Sequence, residues 1–179
     1  MWMAMDPIKT ARTVLRPVTD ADTPTLVAIR TSPSVGEWWH SPDVGWPTQD
    51  ADAEHASRFA IELIGARDIG PDGAVVGMVQ AYQADDPEYA IAGMDLFLAA
   101  SVQRRGLGRE VVAAITTWLI EIRGQHRISI DPAVANVGAI ACYRACGYQQ
   151  VGVLHSYERN IDKRGWHDNL LMEYVVAPI

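Results

Sequence analysis

Between an apolar run, Met94 to Ala100, and an amphipathic run, Val111 to Ile122, the chain carries Gln103-Arg104-Arg105-Gly106-Leu107-Gly108. This order reads as a strand, an anion-binding turn and a helix, and any fold for the chain must accommodate that unit. Gly106 and Gly108 have no Cβ, so the backbone there can curl tightly and bring successive N–H groups up to an anion. Arg104, Arg105 and the positive end of the following helix converge on the same spot. Within the helix, Val111, Ile115, Trp118, Leu119 and Ile122 recur at helical spacing and predict a single stripe directed at a core.

A nucleoside-triphosphate P-loop would need a lysine and then serine or threonine after the second glycine, but Arg109 and Glu110 follow instead. A dinucleotide-binding turn fits better at first, because Asp131 ends the next strand-like run about where a ribose-binding acid belongs. Val111 occupies the place of its third glycine, however, and the repeated βαβ units of such a fold are missing.

The 179 residues suit one domain spanning 1–179, with 1–11 expected as a loosely ordered extension. With 15 basic against 22 acidic residues, net −7, neither nucleic acid nor an anionic membrane is expected as the main partner. A small cationic substrate suits this balance. Cys142 and Cys146 lie one helical turn apart without the spacing of a zinc site, so they are read as free thiols in a reducing compartment, and no metal is expected. The opening residues lack the basic and apolar regions of an export signal, and nowhere do eighteen apolar residues run together. A cytoplasmic monomer or homodimer is the resulting expectation.

Arg12 to Arg16 predicts a strand ended by Pro17, followed by a helix capped by Thr19 or Asp20 and stopped at Pro33. The spacing of Ala56, Phe59, Ala60, Leu63 and Ile64 predicts a second helix from about Asp50 to Ile64. Turn chemistry at Ile69 to Ala74 predicts a hairpin whose second strand is Val75 to Gln83, and Ala90 to Ala100 supplies the next strand. Then come the helix, a strand (His126 to Asp131), a helix from Asn136 to Ala145 ended by Gly147, and a closing antiparallel pair, Tyr148 to His155 with Asn169 to Val176. Pattern alone makes this an α+β chain.

The loop resembles the R/Q-x-x-G-x-G/A pyrophosphate loop of the GNAT acetyltransferase superfamily, which binds acetyl-coenzyme A. Downstream, Asn136, Ala139 and Tyr143 in Asn-Val-Gly-Ala-Ile-Ala-Cys-Tyr-Arg-Ala-Cys-Gly-Tyr resemble its N-x-x-A-x-x-x-Y-x-x-x-G-F/Y signature. The resemblance implies a GNAT-type fold, a mixed central sheet flanked by helices in the order β-α-α-β-β-β-α-β-α-β-β. A narrower likeness, to the aminoglycoside 6′-N-acetyltransferases, rests on Val35-Gly36-Glu37-Trp38-Trp39, Gly93-Met94-Asp95-Leu96-Phe97-Leu98-Ala99 and Ile130-Asp131-Pro132. It extends from about Arg12 to Tyr148.

By that resemblance, Leu96, Phe97, Leu98, Gln103, Arg104, Arg105, Gly106, Leu107, Gly108, Arg109, Asn136 and Ala139 hold acetyl-CoA as the acetyl donor. Tyr143, otherwise a core aromatic, takes the position that protonates the departing thiolate, and Asn136 both caps its helix and bonds the pantetheine arm. Asp95 is either an outward-facing strand residue or a carboxylate that fixes the substrate ammonium and takes its proton. Asp131 takes a position for drug amines, with Glu37, Trp38 and Trp39 as substrate wall. Asp85, Asp86 and Glu88 form either a solvated acidic loop or further attraction for a polycation. The expected activity is acetyl transfer to the 6′-amine of aminoglycoside antibiotics. An acyltransferase for a hydroxylysine-type siderophore precursor and a non-catalytic acetyl-CoA-binding sensor are the alternatives.

Overall fold

A computed structural model describes residues 6–50, 56–84, 86 and 88–176. Its elements are β1 (Ile8–Lys9), β2 (Thr13–Pro17), α1 (Thr23–Arg30), α2 (Pro33–Gly36), β3 (Ala56–Leu63), β4 (Val75–Ala84), β5 (Ile91–Leu98), α3 (Leu107–Glu121), β6 (Arg127–Ile130), α4 (Val137–Ala145), β7 (Gln149–Arg159) and β8 (Trp166–Val175). One sheet holds all eight strands in the order β1-β2-β3-β4-β5-β6-β8-β7. Every neighbouring pair is antiparallel except β5 and β6, which are parallel. Part of the expected N-terminal extension belongs to the sheet, since Ile8 and Lys9 pair with Leu15 and Val14.

The helix expected over 50–64 is corrected to a strand. Its described part from Ala56 onward is β3, and the segment 51–55 lies outside the described residues. The expected apolar set does recur at helical spacing, but Ser57, Arg58 and Ile61 between its members are buried as well. A central strand covered on both faces shows no alternation, so a short apolar run there mimics a helix stripe. The second helix is instead the single turn α2. Pro33, read as a stop, opens it at a position that needs no N–H.

Two apolar clusters cover the two faces. On one face α3 and α4 pack Val111, Val112, Ile115, Leu119 and Tyr143 against Phe59, Ile61, Val79 and Met94. On the other, α1 and α2 bring Leu26 and Val35, with Trp46, onto Met78 and Phe97. Ile122, expected in the α3 stripe, is 70% exposed because the helix has reached its C-cap there. A clamp between Arg12 and Glu110, with Arg12 Nε donating to Glu110 Oε1 at 2.6 Å, ties the chain before β2 to the first turn of α3.

Candidate active site

The site begins where the sheet parts. β5 and β6 are in register only through Gly93 and Ser129. A Cβ on Gly93 would collide with the Tyr82 hydroxyl and come to 2.6 Å from the Ser129 carbonyl oxygen, so this approach requires glycine. Beyond that pair, Met94, Asp95 and Leu96 on one side and Ile130 and Asp131 on the other line a common cavity of about 830 Å³.

A second cavity of about 650 Å³ opens beside it along the start of α3. Arg104 (φ 59°) and Gly106 (φ 83°) adopt left-handed backbone, and Gly106 is the N-cap of α3. The N–H groups of Arg109 and Glu110 bond the Gly106 carbonyl at 3.1 and 3.3 Å. Among the described residues those of Leu107 and Gly108 have no backbone acceptor, and they sit at the positive end of a fifteen-residue helix. This is a seat for a phosphate, and its residues fit the pyrophosphate of a coenzyme A. Gln103 faces the same cavity while its Nε2 donates to the Leu98 carbonyl at 2.9 Å, fixing the loop on the end of β5. Gly108 also serves packing: an added Cβ would lie 3.4 Å from Cys142 Sγ on α4.

Of the residues expected around the donor, Leu96, Phe97, Leu98, Gln103, Arg104, Gly106, Gly108, Arg109, Asn136 and Ala139 line this cavity. Arg105 is exposed outside the lining, and Leu107 points the other way into the core with no exposure. Asn136 caps α4, accepting from the Ala139 N–H at 3.1 Å. Leu96, Asn136, Ala139 and Tyr143 border both cavities, so the two meet at the Tyr143 ring. Tyr143 is 7% exposed and belongs to the core as well. Burial, reinforced by the charge of Asp95, pushes its phenol well above the usual range, so it keeps its proton.

Asp95 and Met94 do point to opposite faces, as strand alternation requires. Met94 enters the α3 core, and Asp95 joins the face shared with Phe97 and covered by the tryptophan-bearing segment. Burial pushes Asp95 up to about 6, and the nearby charges of Asp131 and Glu158 add to the rise. Gln80 Nε2 opposes it, donating to Asp95 Oδ2 at 3.0 Å. Burial likewise raises Asp131, against a hydrogen bond from Asn169. Asn169 Nδ2 donates to the Asp131 carbonyl at 2.7 Å and to Glu158 Oε2 at 3.0 Å. A protonated amine entering here would face two half-buried carboxylates whose own solvation is reduced.

Glu37, Trp38 and Trp39 border both cavities. Trp39 meets Phe97 edge-on at 5.1 Å, and the Arg30 guanidinium lies over Trp39 and Trp46 at 5.1 and 4.6 Å. Asp86 and Glu88 line neither cavity; the Asp86 carboxylate instead accepts from the N–H groups of Glu88 and Tyr89 and closes a turn. Asp85 lies outside the described residues. Sequence reasoning missed Gln80, Arg58, Glu158 and Asn169. The signal for Gln80 was present, a polar residue between Val79 and Ala81 in an apolar strand, whereas Glu158 lies in an extension of β7 past the expected end at His155.

A family model described as an acetyltransferase (GNAT) domain matches residues 12–149. The chain belongs to the GNAT acetyltransferases. As a member of that family, this GNAT acetyltransferase takes its acetyl group from acetyl-CoA. Over 151 residues the chain is 26% identical to the aminoglycoside N(6′)-acetyltransferase type 1 of Klebsiella pneumoniae, spanning 78% of this chain and 75% of that protein. Its fold is similar to that of the ribosomal-protein-S5-alanine acetyltransferase from Vibrio fischeri (TM-score 0.78, 15% identity, 97% and 98% of the two chains). It is similar also to aminoglycoside acetyltransferase AAC(6′)-Ib solved with coenzyme A and kanamycin (TM-score 0.68, 22% identity, 90% and 93%). No helix among the described residues is long and apolar enough to cross a membrane.

Proposed function

We propose that this GNAT acetyltransferase acetylates the 6′-amine of aminoglycoside antibiotics. The observation that carries the reading is the pairing of Asp95 and Asp131 across one cavity that meets the donor cavity at Tyr143. An aminoglycoside presents several ammonium groups on apolar ring faces, which suits carboxylates beside Trp38 and Trp39. The relative from Klebsiella pneumoniae, which bears the name of this activity, supports it.

Acetyl-CoA supplies an acetyl group activated as a thioester. The chain's own part is first to orient the amine, a contribution of about 7–11 kcal/mol to lowering the barrier. Asp95 holds the ammonium and receives its proton, a task suited to a carboxylate raised to about 6. Tyr143 keeps its hydroxyl proton until the leaving sulfur needs it. Asp131 and Glu37 hold other amines of the drug, and Trp38 and Trp39 carry its rings.

The test is thiol release by the purified protein with acetyl-CoA and a panel of aminoglycosides, polyamines, lysine derivatives and peptides. Kanamycin-type drugs with a 6′-amine are expected to turn over, with NMR of the product placing the acetyl group at that nitrogen. Analogues with a 6′-hydroxyl should bind without N-acetylation there. Efficient turnover of a hydroxylysine derivative, with no aminoglycoside used, would replace this reading with the siderophore-precursor activity.

A further inference from the structure

Behind the substrate cavity a row of polar side chains crosses three adjacent strands. Arg58 on β3 stands opposite Gln80 on β4, and Gln80 stands opposite Asp95 on β5, so the register itself puts all three on one face. Arg58 Nε donates to Gln80 Oε1 at 3.2 Å, and Gln80 Nε2 donates to Asp95 Oδ2 at 3.0 Å. Arg58 is buried, with 7% of the residue exposed. Its other nitrogens are taken by Asp50, with Nη2 donating to Oδ2 at 3.0 Å, and by the Pro47 carbonyl at 2.7 Å from Nη1.

A glutamine amide can turn either end toward a neighbour, and a carboxylate beside its oxygen would be repelled. A guanidinium has only donors, so beside Arg58 the Gln80 amide must present its oxygen to β3 and its N–H to Asp95. Burying a lone guanidinium would be costly, and the Asp50 carboxylate offsets that cost. Among the described residues Asp95 Oδ1 accepts no hydrogen bond, while Oδ2 is held.

We propose that Arg58, anchored by Asp50, is a positioning residue for Asp95: acting through the Gln80 amide, it fixes one carboxylate oxygen and leaves the other to the substrate ammonium. The inference rests on the reading of Asp95 as the group that receives the amine. It adds to that reading a buried ion pair two strands away whose output is one directed N–H.

The experiment titrates the Asp95 carboxyl carbon by NMR in the substrate-free protein, with Asp95→Asn used to assign the signal. Gln80→Met removes the donor and leaves the Asp50 pair intact. Arg58→Lys keeps the buried charge, but its single nitrogen is drawn to Asp50 and releases Gln80. Both variants should raise the Asp95 midpoint by about one pH unit, since a hydrogen bond to the ionised form is lost or left undirected. The other groups facing Asp95 are Tyr82 on β4, Asp131 after β6, Tyr143 on α4, and Tyr157 and Glu158 on β7. Arg30, His40 and His167 stand further round the cavity wall. All of these are left unchanged by the two substitutions.

A wild-type midpoint in cooperatively folded Arg58→Lys overturns the proposal, and so does a shift confined to Gln80→Met. Should Arg58→Lys not fold, Arg58→Met combined with Asp50→Asn removes both buried charges and is held to the same outcomes. Because the titration needs no substrate, a wild-type protein that acetylates no aminoglycoside refutes the functional reading and leaves this measurement decisive.

Discussion

Burial lifts Asp95 from 3.8 to about 6, and this acts in opposite directions on turnover and on stability. Between those two values the folded protein retains a proton that the unfolded chain has already lost, so stability falls as pH rises through the window and stays reduced above it. With the side chain only half-buried, solvent trims the loss to about 1–2 kcal/mol. Asp95→Asn, nearly isosteric and still able to accept from Gln80, should therefore raise thermal stability at pH 8 and leave it almost unchanged at pH 4. Equal gains at both pH values in melting experiments would remove burial of charge as the cause. The same substitution should lower kcat by a factor of about 10² or more with every accepted amine. Tyr143→Phe keeps the ring against Tyr148 and removes only the proton donor. It should lower kcat with little change in acetyl-CoA affinity, and an unchanged kcat when chemistry limits the rate would leave Tyr143 a core residue alone.

At the scale of elements, the anion seat depends on how closely α3 approaches α4. Gly108→Val would push branched methyls toward Cys142 Sγ and Leu98 Cδ1, at the same border that lines the donor cavity. Calorimetry should show acetyl-CoA binding lost in a protein that still folds; undiminished affinity would take the loop out of the donor site. This unit was legible in advance because glycine spacing, arginines and a long amphipathic stripe are all local features, and the closing hairpin was legible for the same reason. β3 was not. A strand covered on both faces differs from a short helix only through its neighbours, and those are tens of residues away in the chain. Misplacing β3 also hid Arg58, since its partnership with Gln80 exists only in the cross-strand register. Glu158 and Asn169 stayed hidden because their meeting with Asp131 depends on how β7 and β8 are staggered. Asp86 and Glu88 were weighed by charge alone, and charge cannot distinguish a turn-closing carboxylate from a ligand.

For the molecule as a whole, a net charge of −7 and a cavity holding Asp95, Asp131 and Glu158 should draw polycations from a distance. Raised salt should then increase KM for a kanamycin-type drug more than it lowers kcat, and Asp131→Asn should act mainly on KM. Steady-state kinetics at two ionic strengths measure both effects. The sheet has a mechanical aspect too. Since β5 and β6 meet in register only at Gly93 and Ser129, the strands form two plates, β1 to β5 and β6 to β8, stitched at one point and backed by α3. Residues of β5 and of the segment after β6 line both cavities along this unstitched edge, so a ligand that filled them would bridge the two plates. Amide hydrogen exchange along this seam should slow on donor binding, while the middle of either plate changes little.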